Sequence, residues 1–302
     1  MSTPEPSWDL YLAFLAVMRG GSLSAASRSL SVAQPTVRRQ VEALEEALGV
    51  VLFTRAPNGL VPTEVAHATL PYAESMAATA KALVRSVSGP AGEERGTVRV
   101  TTSEVVGAEV MPAILVALSL AHPQVQVELV LSNRNQDLLR RDADVAVRMV
   151  APTQAALVAR RACAIPLGLF ATEDYLSRHP PPSRLAQLRD HVLIGSDRDR
   201  GIVDALAAAG LAVTARDFAL RTDSDLAALA ALRAGLGIGV CQLPIAARSP
   251  GLRRVLPALA FELEAWVVMH EDLRQVRRVR TVFDHIVTQL AAYGAARSPR
   301  KR

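Results

Sequence analysis

The sequence predicts two kinds of structure in series: an N-terminal all-α winged helix-turn-helix with a long helix behind it, then a longer α/β region. Three observations carry this. From Trp8 to Ser88 apolar residues recur at helical spacing, broken only by two short apolar runs around Asn58-Gly59. The stretch SGPAGEERG, from Ser88 to Gly96, is polar, glycine-rich and holds a proline, the composition of a hinge. Beyond it, segments of strand and helix length alternate towards the C-terminus, which is the pattern of βαβ units and a mostly parallel sheet.

At 302 residues, half of them hydrophobic, the chain can build two or three cores. No uninterrupted apolar run reaches membrane-spanning length, and MSTPEPSWD lacks the basic start and apolar run of a signal peptide. A cytoplasmic protein is expected. Two cysteines, Cys163 and Cys241, argue against a disulfide scaffold, and inert buried thiols are the expected reading over a redox pair. The net charge is +5, but residues 1–90 hold seven basic and seven acidic side chains, and the tail Arg297, Arg300, Lys301 and Arg302 supplies four of the excess charges. Bulk charge is therefore poor evidence for nucleic acid binding; the placement of individual arginines must carry it.

Taken in order, Trp8 to Arg19 reads as a first helix, with Leu10, Phe14, Val17 and Met18 inward and Gly20-Gly21 ending it. Ser22 to Leu30 is a short second helix. After a turn at Ser31 and Val32, Ala33 to Leu48 is a third, its buried face set by Val37, Val41, Leu44 and Leu48. Pro35 fits a first turn, where no helical N–H is missed. With the valines inward, Gln34, Thr36, Arg38 and Arg39 project outward, where Arg can pair with guanine and Gln with adenine while Thr meets a methyl or phosphate. VLFTRAPNGLVP follows as a hairpin, with Arg55 placed for the sugar-phosphate backbone. Thr63 caps a helix to about Ser88, in which Ala66, Leu70, Ala73, Ala77, Ala80, Val84 and Val87 alternate steps of four and three. That seam predicts pairing with a second copy, which would present two reading heads to a two-fold DNA site.

The order AASRSLSVAQPTVRRQVEALEEALGVVLFTR, followed by a wing ending in PTEVA, resembles the N-terminal domain and linker helix of LysR-type transcriptional regulators. Many members carry Ser where this chain has Arg38, and Gly where it has Ala66. The resemblance implies a C-terminal α/β two-lobed effector domain of periplasmic-binding-protein-like type 2 architecture, a homodimer or homotetramer, a pseudo-palindromic operator and no cofactor. The expected boundaries are 1–63 for the winged helix-turn-helix, 64–88 for the dimerisation helix and 89–95 for the hinge. The regulatory domain is expected over 96–296, with lobe I at 96–161 and 268–296 and lobe II at 162–267, before a basic tail at 297–302. The strands expected are GTVRVTT, VQVELVL, ADVAVRMV, AIPLGLFA, VLIG, FALRT, IGVC and EAWVVMH. The helices expected include VVGAEVMPAILVALSLAHP, QDLLRRD and a closing helix from Val276 to Tyr293.

Ligands of open α/β sheets bind beyond the carboxyl ends of strands, beside helix N-termini. Candidates there are Thr102, Ser103 and Glu104 after the first strand, and Thr222 and Asp223 before a later helix. The resemblance places the effector pocket at the turn of Ser103; ordinary N-capping is the other reading of these hydroxyls. Ser132, Asn133 and Ser196 occupy matching strand ends. Arg148, ending an apolar strand, is either the partner of a ligand carboxylate or half of a structural salt bridge. No catalytic motif, phosphate loop or metal-spaced cluster is present in the sequence, and no enzyme is expected. The competing class is a solute-binding or transport module, which the C-terminal two thirds alone would support.

Overall fold

The computed structural model describes residues 5–56, 59–88, 92–133, 143–152, 157–198 and 200–295. These divide into two compact units, one ending at Val84 and one beginning at Arg85.

The first unit opens with α1 (Trp8–Gly20), α2 (Leu23–Leu30) and α3 (Gln34–Leu48). Gly21 ends α1 in the left-handed conformation (φ 67°) and returns its N–H to Val17. A Cβ on Gly20 would lie 2.8 Å from that of Ala25, so this glycine lets α1 and α2 approach closely. Ser22 caps α2 by accepting the Ala25 N–H at 3.1 Å. Ser31, at φ 57°, turns the chain, and the Ser27 hydroxyl ties it by donating to the Val32 carbonyl at 2.6 Å. Val37, Val41 and Leu44 are buried with Phe14 and Leu15, whereas Leu48, expected on the same face, is exposed because α3 ends there against Gly49. The hairpin forms as β1 (Phe53–Ala56) paired antiparallel with β2 (Gly59–Pro62); Asn58 lies outside the described residues. Glu45 on α3 fixes the hairpin by accepting the N–H groups of Leu52 and Phe53 at 2.7 and 3.0 Å. Thr63 then caps α4 (Glu64–Ser86), accepting the Ala66 N–H at 3.2 Å.

The α4 seam differs from expectation. Ala66, Ala73 and Ala77 are buried in the unit's own core, with Leu70 packed against it. Small residues at steps of four and three mark a face that something covers closely, and here the covering surface is the rest of the same unit. The apolar residues left exposed are Val65, Tyr72 (75% exposed), Met76 and Leu83 (66% exposed), one position earlier in the repeat, together with Val84 and Val87 of the expected seam itself.

The second unit is built on β3 (Gly96–Thr102), β4 (Val125–Leu131), β5 (Val145–Arg148), β6 (Leu157–Thr172), β7 (Ile194–Gly195), β8 (Leu220–Arg221), β9 (Gly239–Gln242), β10 (Leu252–Val255) and β11 (Phe261–His270). The main sheet runs β10-β6-β11-β5-β3-β4, with β9 also on β6. It is mixed, not mostly parallel: β3 pairs parallel with β4 and β5, but every pairing of β6 and β11 is antiparallel. The reason is the double crossing between lobes. β6 is one 16-residue strand, and β11 returns beside it through ten residue pairs with a register shift at Ala265/Trp266. β10 is a strand the sequence pattern missed.

In the first lobe α5 (Glu104–Glu109) and α6 (Met111–Ala121) replace the single expected helix, which breaks at Val110 before Pro112. Its core joins β3, β5 and β11 to α11 (Arg277–Ala295), whose Val279, Val282, Phe283, Ile286, Val287 and Leu290 are buried. The second lobe carries α7 (Glu173–Arg178), α8 (Gly201–Ala208), α9 (Asp225–Arg233) and α10 (Leu243–Ala247) around its own cores. Asp144 is buried and accepts from Arg85 Nε at 3.0 Å, Arg85 Nη2 at 3.2 Å and the Arg99 N–H at 2.8 Å. The expected helix QDLLRRD and the basic tail lie outside the described residues.

Candidate DNA interface and interlobe cavity

α3 begins without a side-chain cap, with Pro35 in its first turn. Its apolar face is consumed by the core, so helical geometry turns Gln34, Pro35, Arg38 and Arg39 to solvent and leaves Thr36 half-exposed. Arg55 is exposed on β1. Among the described residues, Arg38, Arg39 and Arg55 make no hydrogen bond or ion pair, and no acidic residue precedes Glu42 on α3. The result is an outward helix end bearing donors and positive charge with no internal obligation.

In the second unit a cavity of about 500 Å³ opens between the lobes. Its size suits a small organic molecule. Ser103, Val105 and Met149 line it from the first lobe; Ser196, Thr222 and Gln242 are among those lining it from the second. Around it the lobes are tied together. Glu104 on α5 accepts from the Ser224 hydroxyl at 2.8 Å and from the Leu226 N–H at 3.4 Å, so a carboxylate of the first lobe caps the start of α9. Asn133 accepts the Glu104 N–H at 3.1 Å and donates to Asp225 at 3.1 Å. Further along, Arg233 of α9 grips Glu109 of α5 in a two-pronged pair at 2.6 and 2.8 Å, and Arg248 donates to the Glu109 carbonyl. That grip holds the Glu109 carboxyl below the usual carboxylate range.

Two family models match the chain, one described as bacterial regulatory helix-turn-helix protein, lysR family, over residues 8–67, and one as LysR substrate binding domain, over residues 91–291. The chain belongs to the LysR family. PgrR, a transcriptional regulator of Escherichia coli K12, is 28% identical over 184 residues, covering 61% of this chain and 62% of PgrR. The probable regulator LtrA of Klebsiella pneumoniae is 26% identical over 306 residues, covering 95% of this chain and 96% of LtrA. For PgrR and three comparable curated relatives, the chain spans 38% to 64% of the relative's length. Full-length CbnR, solved in complex with its target DNA, superposes with a TM-score of 0.68 at 22% identity over 94% of this chain and 99% of that one. AphB of Vibrio cholerae gives 0.61 at 21% identity, over 93% and 98%. At those identities the likeness establishes the fold. No described helix of this LysR-family chain is long and apolar enough to cross a membrane.

Of the residues the sequence suggested for an effector, Ser103, Ser196 and Thr222 line the cavity. Thr102 does not: it is fully buried on the strand face that packs against the lobe core, below α5. Arg148 is 5% exposed and absent from the cavity wall; it donates to the Val147 carbonyl at 3.0 Å and the Thr101 hydroxyl at 3.2 Å, while its neighbour Met149, just past the strand, lines the cavity. Asp223 turns away to pair with Arg198 at 3.0 Å. Ser132 lies off the wall, its N–H bonded to the Thr102 carbonyl at 2.8 Å, and Glu104 and Asn133 are spent on the ties between lobes. Sequence reasoning missed Gln242, Cys241 and Glu262 on the wall. The run IGVC gave a signal, since Cys241 and Gln242 end a strand, but nothing in the pattern said that this strand borders the cleft. Burial pushes the Cys241 thiol up to about 11, so it stays protonated and packs as an apolar group; both cysteines are free thiols.

Proposed function

We propose that the chain is a cytoplasmic, DNA-binding transcriptional regulator of the LysR type, controlled by a small molecule in the interlobe cavity. The observation that carries the reading is the uncommitted set Gln34, Thr36, Arg38 and Arg39 on the opening turns of α3, backed by Arg55 on the wing. Residues 1–63 would read the duplex, 64–88 would pair two copies and 96–296 would sense the effector. Pairing would use the exposed stripe Val65, Tyr72, Met76 and Leu83 in place of the alanine seam. CbnR, a fold relative, has been captured on its target DNA, and a two-fold dimer of this chain would meet a pseudo-palindromic operator in the same general way.

Coupling requires the effector to favour one lobe arrangement, since a ligand shifts an equilibrium only by its differential affinity. No catalytic step is assigned to the cavity. The test is an anisotropy titration of the promoter duplex beside the gene, at two salt concentrations. Arg39→Ala is expected to weaken binding roughly tenfold and to lower the salt slope by about one. An unchanged titration overturns the role of α3.

A further inference from the structure

We infer that the interlobe cavity takes an uncharged, largely apolar small molecule bearing a hydrogen-bond acceptor that Gln242 receives, and that it turns carboxylates away. This rests on the reading of the cavity as the effector site.

Among the described residues lining the cavity there is no Arg, Lys or His, while Asp225 and Glu262 are both acidic. The nearby cations are committed elsewhere: Arg233 to Glu109, Arg198 to Asp223, and Arg148 to Thr101 and a backbone carbonyl. Helix starts are the other usual anion receivers. At α9 that place already holds the Glu104 carboxylate, and at α5 the Asn133 carbonyl oxygen takes the Glu104 N–H. A ligand carboxylate would lose its water beside Asp225 and Glu262 and gain no cation, leaving only hydroxyls and the start of α8 to receive it.

Gln242 supplies the positive half of the inference. It is only 6% exposed, it lines the cavity, and its Oε1 accepts the Tyr293 hydroxyl at 2.7 Å. Burial raises the Tyr293 phenol, which therefore stays protonated and keeps its role as donor. The amide nitrogen is left with two N–H donors and no acceptor among the described residues. A donor without a partner on a cavity-lining residue favours a ligand that brings an acceptor over one that does not. The remaining wall, with Val105, Met149, Ile245 and Leu263, suits a hydrocarbon or aromatic body.

The test uses the full chain and two dyes of one ring system, neutral N-phenylnaphthylamine and anionic anilinonaphthalene sulfonate. The neutral dye should bind saturably, and cavity filling by Ala228→Phe, or by the milder Ala205→Leu, should abolish that signal. The anionic dye should bind the same site roughly tenfold more weakly. In displacement of the neutral dye, acetophenone should act at concentrations roughly fivefold below ethylbenzene and further still below benzoate. Gln242→Leu should erase the advantage of acetophenone over ethylbenzene. Benzoate displacing as well as acetophenone, or an advantage that survives Gln242→Leu, overturns the ligand class and leaves the effector reading intact. If no dye signal responds to either filling variant, both the class and the effector reading fall.

Discussion

The exposed end of α3 and the ring of charge around the interlobe cavity are both arginine-bearing, yet they treat charge in opposite ways. Arg38 and Arg39 stand in solvent with no internal partner. In the second unit Arg233, Arg198 and Arg85 are each matched to a carboxylate at about 3 Å or less. A charge kept free is available to a partner, whereas a buried and matched charge such as Arg85 sets shape instead. The count of arginines is therefore uninformative, and their assignments decide where binding occurs.

The contrast predicts unequal costs of substitution. Asp144→Ala should be the most damaging, since it strands the buried Arg85 guanidinium and the Arg99 N–H; urea denaturation should show a loss of about 3–5 kcal/mol. Arg38→Ala, by contrast, should stay within about 0.5 kcal/mol of the parent while weakening DNA binding. Equal losses in the two variants would erase the distinction. Next comes Gly195→Ala at the cavity wall. Its Cβ would stand 2.4 Å from the Phe218 ring, so a destabilisation of about 1–3 kcal/mol is expected in the same assay. In the first unit Ser31→Gly should instead raise stability, by at most about 1 kcal/mol, by relieving a left-handed serine. A loss there would mean that the serine side chain contributes to the turn.

The smallest effect concerns pH. Arg233 lowers the folded-state pKa of Glu109, so the folded chain holds that proton less tightly than the unfolded chain. The contribution is present above the ordinary value of 4.5 and is lost as pH falls through the lower folded value. Melting curves should decline below that pH, and Glu109→Gln should make the decline shallower. At neutral pH the variant should lose less than about 1 kcal/mol, because Arg233 is partly exposed. An identical acid profile in both chains would remove Glu109–Arg233 from the set of ties between lobes.

Legibility in the sequence followed the range of the interactions. The first unit is local: caps, a four-three repeat and a hairpin turn are written within a few residues of where they act, and Ser22, Thr63 and Gly21 stand where the pattern put them. Which face of α4 meets its own unit was not local, since the alanine repeat says only that something packs closely there. The cavity was harder still. Ser103, Ser196 and Thr222 could be found because strand ends followed by helices are visible in order. Gln242 and Glu262 sit on strands whose places beside β6 depend on pairings across more than seventy residues. Arg148 misled because the end of its strand is buried and the cavity is met one residue later, by Met149.

β6 and β11 form a continuous two-stranded ribbon through both lobes, bonded over ten pairs. Such a ribbon resists shear along its length and opens only by breaking its ladder, whereas twisting about its axis costs little. At Ala265/Trp266 the register shifts and the ladder is locally interrupted, which would make that point the softest to torsion. An occupant of the cavity would therefore speak to the rest of the molecule as a small rotation of one lobe against the other, not as a jaw swinging on loose strings.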